Sequence, residues 1–490
     1  MALRQKATRG LTWSLIERWG NELLALGIFV VLSRQLDPAA FGLVALANVV
    51  IDFARRFVDQ GFSEAVIQRG DLDREHLDTA FWTGMVTGAL LSVLGVALAA
   101  PIAGAFGEPR LAEVLRWLSL IFVIRGLSST QQAILVRSLR FKQLAMRTIA
   151  QEIGAGVVGV SMALAGFGVW SLVGHALAAG VFGVVTLWSV SDWRPGFGFR
   201  WSHFRELSLF GANIVGFKLL NLLSQRIDSL LIGGFLGAVA LGYYSVALRI
   251  SHALTKILTG VMNAVAFPVF SRMQGDAERM RRAFYEATQL TSLVTLPAFL
   301  GIAAIAPDAI PFVFGAQWGP SVPVTRVLAG VGVLQSLTFF NGSVLKAVGK
   351  PSWRLWVALV QTVCTSVAIL LVVREGITAV AIAGLVVGVA LYPLGLWAVR
   401  RNIAIEPGRY AAQFAGPLFA ALLCAGAALG VRLAAESLAV PVRIALAILA
   451  GAAAYGLGLR MLVPDLLRRT FALAIDAIPG LRVKAPAPRA

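Results

Sequence analysis

Apolar stretches of about twenty residues recur from one end of this chain to the other, each closed by a short loop. A stretch of that length spans the hydrocarbon core of a bilayer as an α-helix, at 1.5 Å of rise per residue. An open strand is excluded there, because every backbone N–H and C=O must find its partner within the segment. The 490 residues are 58% hydrophobic and only 14% charged, with a mean hydropathy of +0.78. The expected fold is an all-α polytopic membrane protein of about fourteen transmembrane helices, the first over 11–32 and the last over 442–463.

The chain carries 43 Lys and Arg against 25 Asp and Glu, a net charge of +18. Such a surplus suits a nucleic-acid partner, but its distribution gives a different explanation. With the N-terminus inside, the cations gather at alternate loops: Arg4, Lys6 and Arg9, then Arg137, Arg140 and Lys142, then Arg279, Arg281 and Arg282, and finally Arg468 and Arg469. The intervening loops, such as Gly233 to Gly242, are nearly uncharged. This is the positive-inside pattern, which places both ends in the cytoplasm and calls for no nucleic acid. The basic N-terminus leads into a run that is too long for a signal peptide and contains Glu17, Arg18 and Glu22, so it reads as the first permanent helix. Cys364 and Cys424 both fall inside spans, so no disulfide framework, metal site or cofactor is expected.

Shifting the chain by 200 residues sets Leu36, Ala40, Gly42 and Ala47 on Leu236, Ala240, Gly242 and Ala247, and pairs Asn21 with Asn221, Arg18 with Lys218 and Arg56 with Lys256. A second offset, of 208, pairs Gly168 with Gly376. The organisation expected from this is an N-terminal lobe of six helices (1–190), an interfacial linker (191–206) and a C-terminal lobe of six (207–400). Two further helices (401–470) and a cytoplasmic tail (471–490) complete it. Six is even, so both lobes enter the membrane in one orientation, as in parallel-repeat transporters of the alternating-access kind. The linker holds Trp193, Arg194, Arg200, Trp201 and Arg205, a mixture that suits the membrane interface.

Within the spans, polar residues fall into stripes. Arg249, His252 and Lys256 recur at i, i+3 and i+7, extended by Ser245 and Asn263. A cation at mid-membrane costs roughly 2.5 to 3.5 kcal/mol on insertion scales, so the stripe implies a wet or ligand-filled interior. Helix 1 offers Arg18, Asn21 and Glu22; helix 2 offers Asn48, Asp52, Arg56 and Asp59; helix 7 offers Lys218, Asn221, Gln225 and Asp228. Together they predict one polar cavity shared by helices 1, 2, 7 and 8. Its cationic part is Arg18, Arg56, Arg125, Lys218, Arg249, His252 and Lys256, and its polar lining is Asn21, Glu22, Asp52, Asn221 and Gln225. His252 is the member able to change charge near neutral pH.

Plainer readings accompany several of these residues. Arg55 and Arg56 reach the inner surface if helix 2 ends early. Arg226 and Asp228 read as a self-neutralising pair, and Arg18 with Glu22 as a second. Arg125 shares a face with Ser129 and Gln132, whereas Arg116 lies about 180° away around helix 4. His175 and Glu152 read as packing residues. Asn341-Gly-Ser343 falls within a helix, which argues against a glycan acceptor. Gly349-Lys-Pro-Ser352 has the ending of a phosphate-binding loop without its earlier glycine. No nucleophile triad or metal-ligand cluster accompanies the short outer loops, so an enzyme is not expected.

Five segments resemble the Wzx-type polysaccharide flippases, in the longer WzxC-like branch of the multidrug/oligosaccharidyl-lipid/polysaccharide exporter superfamily. They are Leu32-Ser-Arg-Gln-Leu-Asp-Pro-Ala-Ala-Phe-Gly-Leu-Val-Ala45, Asp59-Gln-Gly-Phe62 with Ala65-Val-Ile-Gln68, Gly168-Val-Trp-Ser-Leu172, Leu241-Gly-Tyr-Tyr-Ser-Val-Ala-Leu-Arg249 and Phe267-Pro-Val-Phe-Ser-Arg272. The resemblance implies a two-lobed transporter of the bacterial inner membrane that moves a polyprenyl-pyrophosphate-linked oligosaccharide between leaflets for exopolysaccharide, capsule or lipopolysaccharide synthesis. It implies that helices 1, 2, 7 and 8 line the cavity, that Arg249 belongs to the cationic site, and that polysaccharide polymerase or export machinery are partners. The alternatives are a multidrug and cation antiporter of the related extrusion type, whose cavity should carry unpaired carboxylates, and a non-transporting assembly partner, whose stripes should tolerate neutralisation.

Overall fold

The computed structural model describes residues 20–59, 66 and 73–464. Among these every regular element is helical, as the composition requires. The helices are α1 (20–35), α2 (Pro38–Asp59), α3 (Arg74–Ala105), α4 (Arg110–Leu118), α5 (Leu120–Arg137), α6 (Phe141–Leu164), α7 (Val169–Val190) and α8 (Trp201–Ser271). They continue as α9 (Ala277–Phe314), α10 (Ser321–Thr338), α11 (Asn341–Ala347), α12 (Pro351–Val372), α13 (Ile377–Ile403), α14 (Pro407–Ala434) and α15 (Val440–Leu462). Ten spans among the described residues are long and apolar enough to cross a bilayer.

Local chemistry sets the breaks. The expected fourth span comprises α4 and α5, which meet at Ser119, where the backbone stays in the helical region (φ −61°, ψ −23°). Helix α8 is broken at Gly237, whose backbone leaves the helical region (φ 80°, ψ −179°), so its two halves are the expected seventh and eighth helices. The Asp73 carboxylate caps α3 by accepting from the His76 N–H (2.8 Å). Gly168 and Gly376, paired by the 208-residue offset, stand immediately before α7 and α13 with φ of 57° and 110°, a region that favours glycine.

The chain divides into two compact units, Met1–Ala253 with Val313–Val324 and Ala358–Val387, and Leu254–Phe312 with Thr325–Val357 and Gly388–Ala490. In the first unit, α2 and the second half of α8 meet through a reciprocal close approach. A Cβ on Gly42 would lie 1.7 Å from the Ala238 carbonyl oxygen, and one on Gly242 would lie 1.9 Å from that of Pro38. Residues 42 and 242, like 38 and 238, are separated by the 200-residue offset. The segment 313–324 is tied into the same region. Gln317 Nε2 and Trp318 Nε1 both donate to the Ser33 carbonyl at 2.9 Å, Arg34 Nε donates to the Val313 carbonyl (2.8 Å), and Ser321 Oγ donates to that of Tyr243 (2.8 Å). Trp318 is fully buried, edge-on to Phe41 and Tyr243.

In the second unit, Phe270, Phe284, Phe340 and Tyr410 form an aromatic core, with the Tyr410 hydroxyl donating to the Leu337 carbonyl. Helices α14 and α15 join it through small residues. Gly451 lies against Cys424, Gly458 against Ala420, and Ala428 and Ala447 against Ala304 of α9. Small residues let helix backbones approach where no hydrophobic force separates side chains from lipid. A charged fork completes this contact: Asp308 accepts from Arg432 Nε at 3.0 Å and from Arg443 Nη2 at 2.6 Å. Asp308→Ala strands both guanidiniums and is expected to cost roughly 3 to 5 kcal/mol. The measurement is the Tm of the detergent-purified chain; an unchanged Tm refutes the role, and Asp308→Glu should recover most of the loss.

Candidate functional site

A polar cavity of about 500 Å³ opens within the first unit. Its wall is built from α1 (Phe29, Leu32), α2 (Phe41, Asn48, Asp52), α6 (Glu152), α7 (His175) and both halves of α8 (Arg226 and Ser229; Ser245, Arg249 and His252). The spacing of 245, 249 and 252 puts the three side chains on one helical face, and 48 with 52 does the same on α2. Each element arrives from a different part of the chain, so the cavity is a tertiary product of packed apolar spans.

Its charges are matched across helices. Arg226 Nη2 donates to Asp52 Oδ2 at 2.7 Å, and Arg55 Nη2 lies 3.6 Å from Asp52 Oδ1. Arg249 Nη2 lies 3.6 Å from Glu22 Oε1, and its guanidinium stands 5.9 Å from the Phe29 ring centroid. Glu22 is 3% exposed, so its negative charge sits almost wholly out of solvent beside Arg249. His252 lies within electrostatic reach of Glu22, Arg226, Asp228 and Arg249, and His175 within reach of Arg249.

This arrangement corrects the expected pairing of Arg226 with Asp228. Residues two apart on a helix do not face each other. Arg226 therefore reaches α2, while Asp228 accepts from the Ser229 N–H (2.7 Å) and, through its other oxygen, from the Tyr244 hydroxyl (2.8 Å). It also alters the sign of the cavity. The stripe on α8 is basic on its own helix, but Arg249 is answered by Glu22, Arg226 by Asp52, and Glu152 adds a further carboxylate to the wall.

Of the residues expected at the site, Asp52, Arg249 and His252 line the cavity and Glu22 stands behind Arg249. Asn21, Gln225 and Arg125 are outside its wall; the Asn21 Oδ1 is buried without a hydrogen-bond partner. Lys256 is exposed and belongs to the second unit. Arg18 and the side chains of Arg56, Lys218, Asn221 and Asn263 lie outside the described residues. Glu152 and His175, read from sequence as packing residues, line the wall. The signal for His175 was a glycine: a Cβ on Gly159 would come within 2.8 Å of its Cβ, so α6 thins where the imidazole passes. Among the described residues no group of three His, Cys, Asp or Glu gathers to hold a metal.

Residues 31–323 match the family model described as polysaccharide biosynthesis protein, a stretch that holds most of the cavity wall. The chain belongs to this family. The succinoglycan biosynthesis transport protein ExoT of Rhizobium meliloti is 30% identical over 74% of the chain and 73% of its own length. The lipopolysaccharide biosynthesis protein WzxC of Escherichia coli is 28% identical over 71% of each. Among solved structures, the lipid II flippase MurJ in an inward closed conformation superposes with a TM-score of 0.75, covering 93% of this chain and 100% of MurJ at 14% identity. That likeness shows the fold, a polytopic bundle of helices.

The wall formed by Phe41 is held from behind by Trp318. Trp318→Ala is expected to cost roughly 3 to 5 kcal/mol through the cavity it leaves and the lost tie to Ser33. Trp318→Phe should cost less, and equal Tm values for the two variants would overturn this account.

Proposed function

We propose that this chain translocates a polyprenyl-pyrophosphate-linked oligosaccharide from the inner to the outer leaflet of a bacterial cytoplasmic membrane, with both termini in the cytoplasm. The observation that carries the reading is the Arg226 and Arg249 pair facing a polar cavity inside apolar spans, in a member of a polysaccharide biosynthesis family. Relatives named for succinoglycan transport and lipopolysaccharide biosynthesis, and a flippase fold, support it.

The chemistry follows from the pairs. A guanidinium binds phosphate oxygens in two parallel hydrogen bonds, more strongly than a neutral donor does. At 3.6 Å the Arg249 to Glu22 contact is an ion pair without a short hydrogen bond, so a pyrophosphate can compete for that guanidinium. Asn48, Asp52, Glu152 and Ser245 supply acceptors and donors for sugar hydroxyls while the lipid tail stays in the bilayer. The carboxylates keep the cations from holding the anion too tightly. A ligand bound equally well in both states would shift no equilibrium. The chain performs no covalent step in this reading, and its partners are the lipid-linked glycan, membrane lipid and the polymerase or export machinery that follows.

One observation favours a second reading. Among the described residues Asp228 accepts hydrogen bonds only from Ser229 and Tyr244 and makes no salt bridge, with His252 in electrostatic reach, and a carboxylate held by neutral donors suits a cation antiporter. Export assays separate the two. Arg249→Ala and Arg226→Ala should leave membrane insertion intact, reduce surface glycan at least about tenfold, and build up lipid-linked intermediates inside, if each guanidinium contributes the usual strength of a charge-assisted contact. Normal glycan export by the double variant would reject the flippase site.

A further inference from the structure

Between Asp308 and Glu375 the chain has no acidic residue, yet it carries Arg326, Lys346, Lys350, Arg354 and Arg374. Three of these cations crowd the turn joining α11 to α12, at a loop that the charge parity places on the inner side. The turn is a Schellman cap. The Lys350 N–H donates to the Leu345 carbonyl (2.9 Å), the Gly349 N–H donates to that of Lys346 (3.1 Å), and Gly349 takes φ 73°. Pro351 then opens α12. The Gly349-Lys-Pro-Ser352 sequence is therefore a helix cap, and its rigidity fixes Lys346 and Arg354 beside one another.

Two features set this turn apart from the other basic loops. The Arg354 guanidinium lies flat on Gly342: a Cβ there would be 2.9 to 3.0 Å from Nη1, Cζ and Nε. Lys346 is close enough to feel the like charge of Arg354, and neither makes a salt bridge among the described residues. Three other basic residues assigned to the inner side do find carboxylates, Arg140 with Asp192 (3.3 Å), Arg282 with Glu278 (4.0 Å) and Arg409 with Glu406 (3.0 Å), while Arg281 donates to the Ala404 carbonyl (3.3 Å). Beside the turn, the Arg401 guanidinium stands 5.9 Å from the ring centroids of both Trp353 and Trp397. Tryptophan at this level of a span marks the headgroup region.

Lys346 and Arg354 are both exposed, so water screens their mutual repulsion, and a phosphate offers the pair several oxygens at once. We propose that Lys346 and Arg354 form a phosphate-binding site in the second unit, filled by the phosphate of an anionic lipid headgroup. Clusters of basic residues at the cytoplasmic end of a span attract such headgroups. The site is independent of the cavity in the first unit and stands or falls without it.

The test uses the full chain in neutral detergent, titrated with short-chain phosphatidylglycerol, phosphatidylcholine or inorganic pyrophosphate, with binding read by native mass spectrometry. Lys346→Gln with Arg354→Gln should weaken phosphatidylglycerol binding at least about tenfold, the loss of one or more charge-assisted contacts. Arg140→Gln with Lys142→Gln removes the same charge from another inner loop and should change it less than about twofold. Gly342→Val displaces the guanidinium at constant charge and should also weaken binding, which covers the case in which the double variant fails to fold. Equal effects of the two double variants, or phosphatidylcholine binding as tightly as phosphatidylglycerol, overturn the proposal. Competition by pyrophosphate, lost in the same variants, would keep the phosphate site and assign it to a pyrophosphate group instead of a phospholipid.

Discussion

The cost of holding a charge away from water governs this molecule more than any other term. An unpaired ion inside an apolar span is expensive, so guanidiniums within the spans and at their ends acquire carboxylates: Arg226 has Asp52, Arg249 has Glu22, and Arg432 and Arg443, at facing ends of α14 and α15, share Asp308. Each pair joins helices that are remote in sequence. The pairs therefore constrain which helices meet as well as neutralising charge. Hydrophobic force cannot do this alone, since lipid is as apolar as the helix surfaces.

Close packing supplies the second constraint. The reciprocal approach of Gly42 to Ala238 and of Gly242 to Pro38 lets α2 and the second half of α8 cross with backbone against backbone. Any side chain at either glycine would drive the pair apart. That contact sets the distance across which Asn48 and Asp52 face Ser245, Arg249 and His252. The cavity's dimension thus traces to two missing methyl groups, and its closed wall to Trp318, whose indole N–H shares the Ser33 carbonyl with Gln317.

Much of this was legible in the sequence because membrane helices have strict length and periodicity. The apolar runs announced the helices, and the i, i+3, i+7 spacing on α8 announced a polar face. The glycines at 42 and 242 stood out through the 200-residue offset. What could not be read was partnership across helices. Glu22 and Arg249 are separated by most of the first unit, and no local spacing links them. Arg226 and Asp228 looked like partners only when helical geometry was ignored. Glu152 and His175 gave no stripe, because each is a single polar residue on an apolar helix. Their role at the wall depends on which face α6 and α7 present.

The matched charges bear on how such a cavity could release what it binds. An all-cationic chamber would attract a pyrophosphate strongly and surrender it slowly, since affinity sets the residence time. With Glu22 beside Arg249 and Asp52 beside Arg226, taking up the proposed pyrophosphate would exchange one anion for another at each guanidinium instead of going from unpaired to paired. The net gain on binding is a difference between two ion pairs, which is smaller than either. Departure of the ligand likewise leaves no stranded cation, because the carboxylate is already in place. A chamber built this way trades affinity for turnover, which suits a carrier better than a receptor.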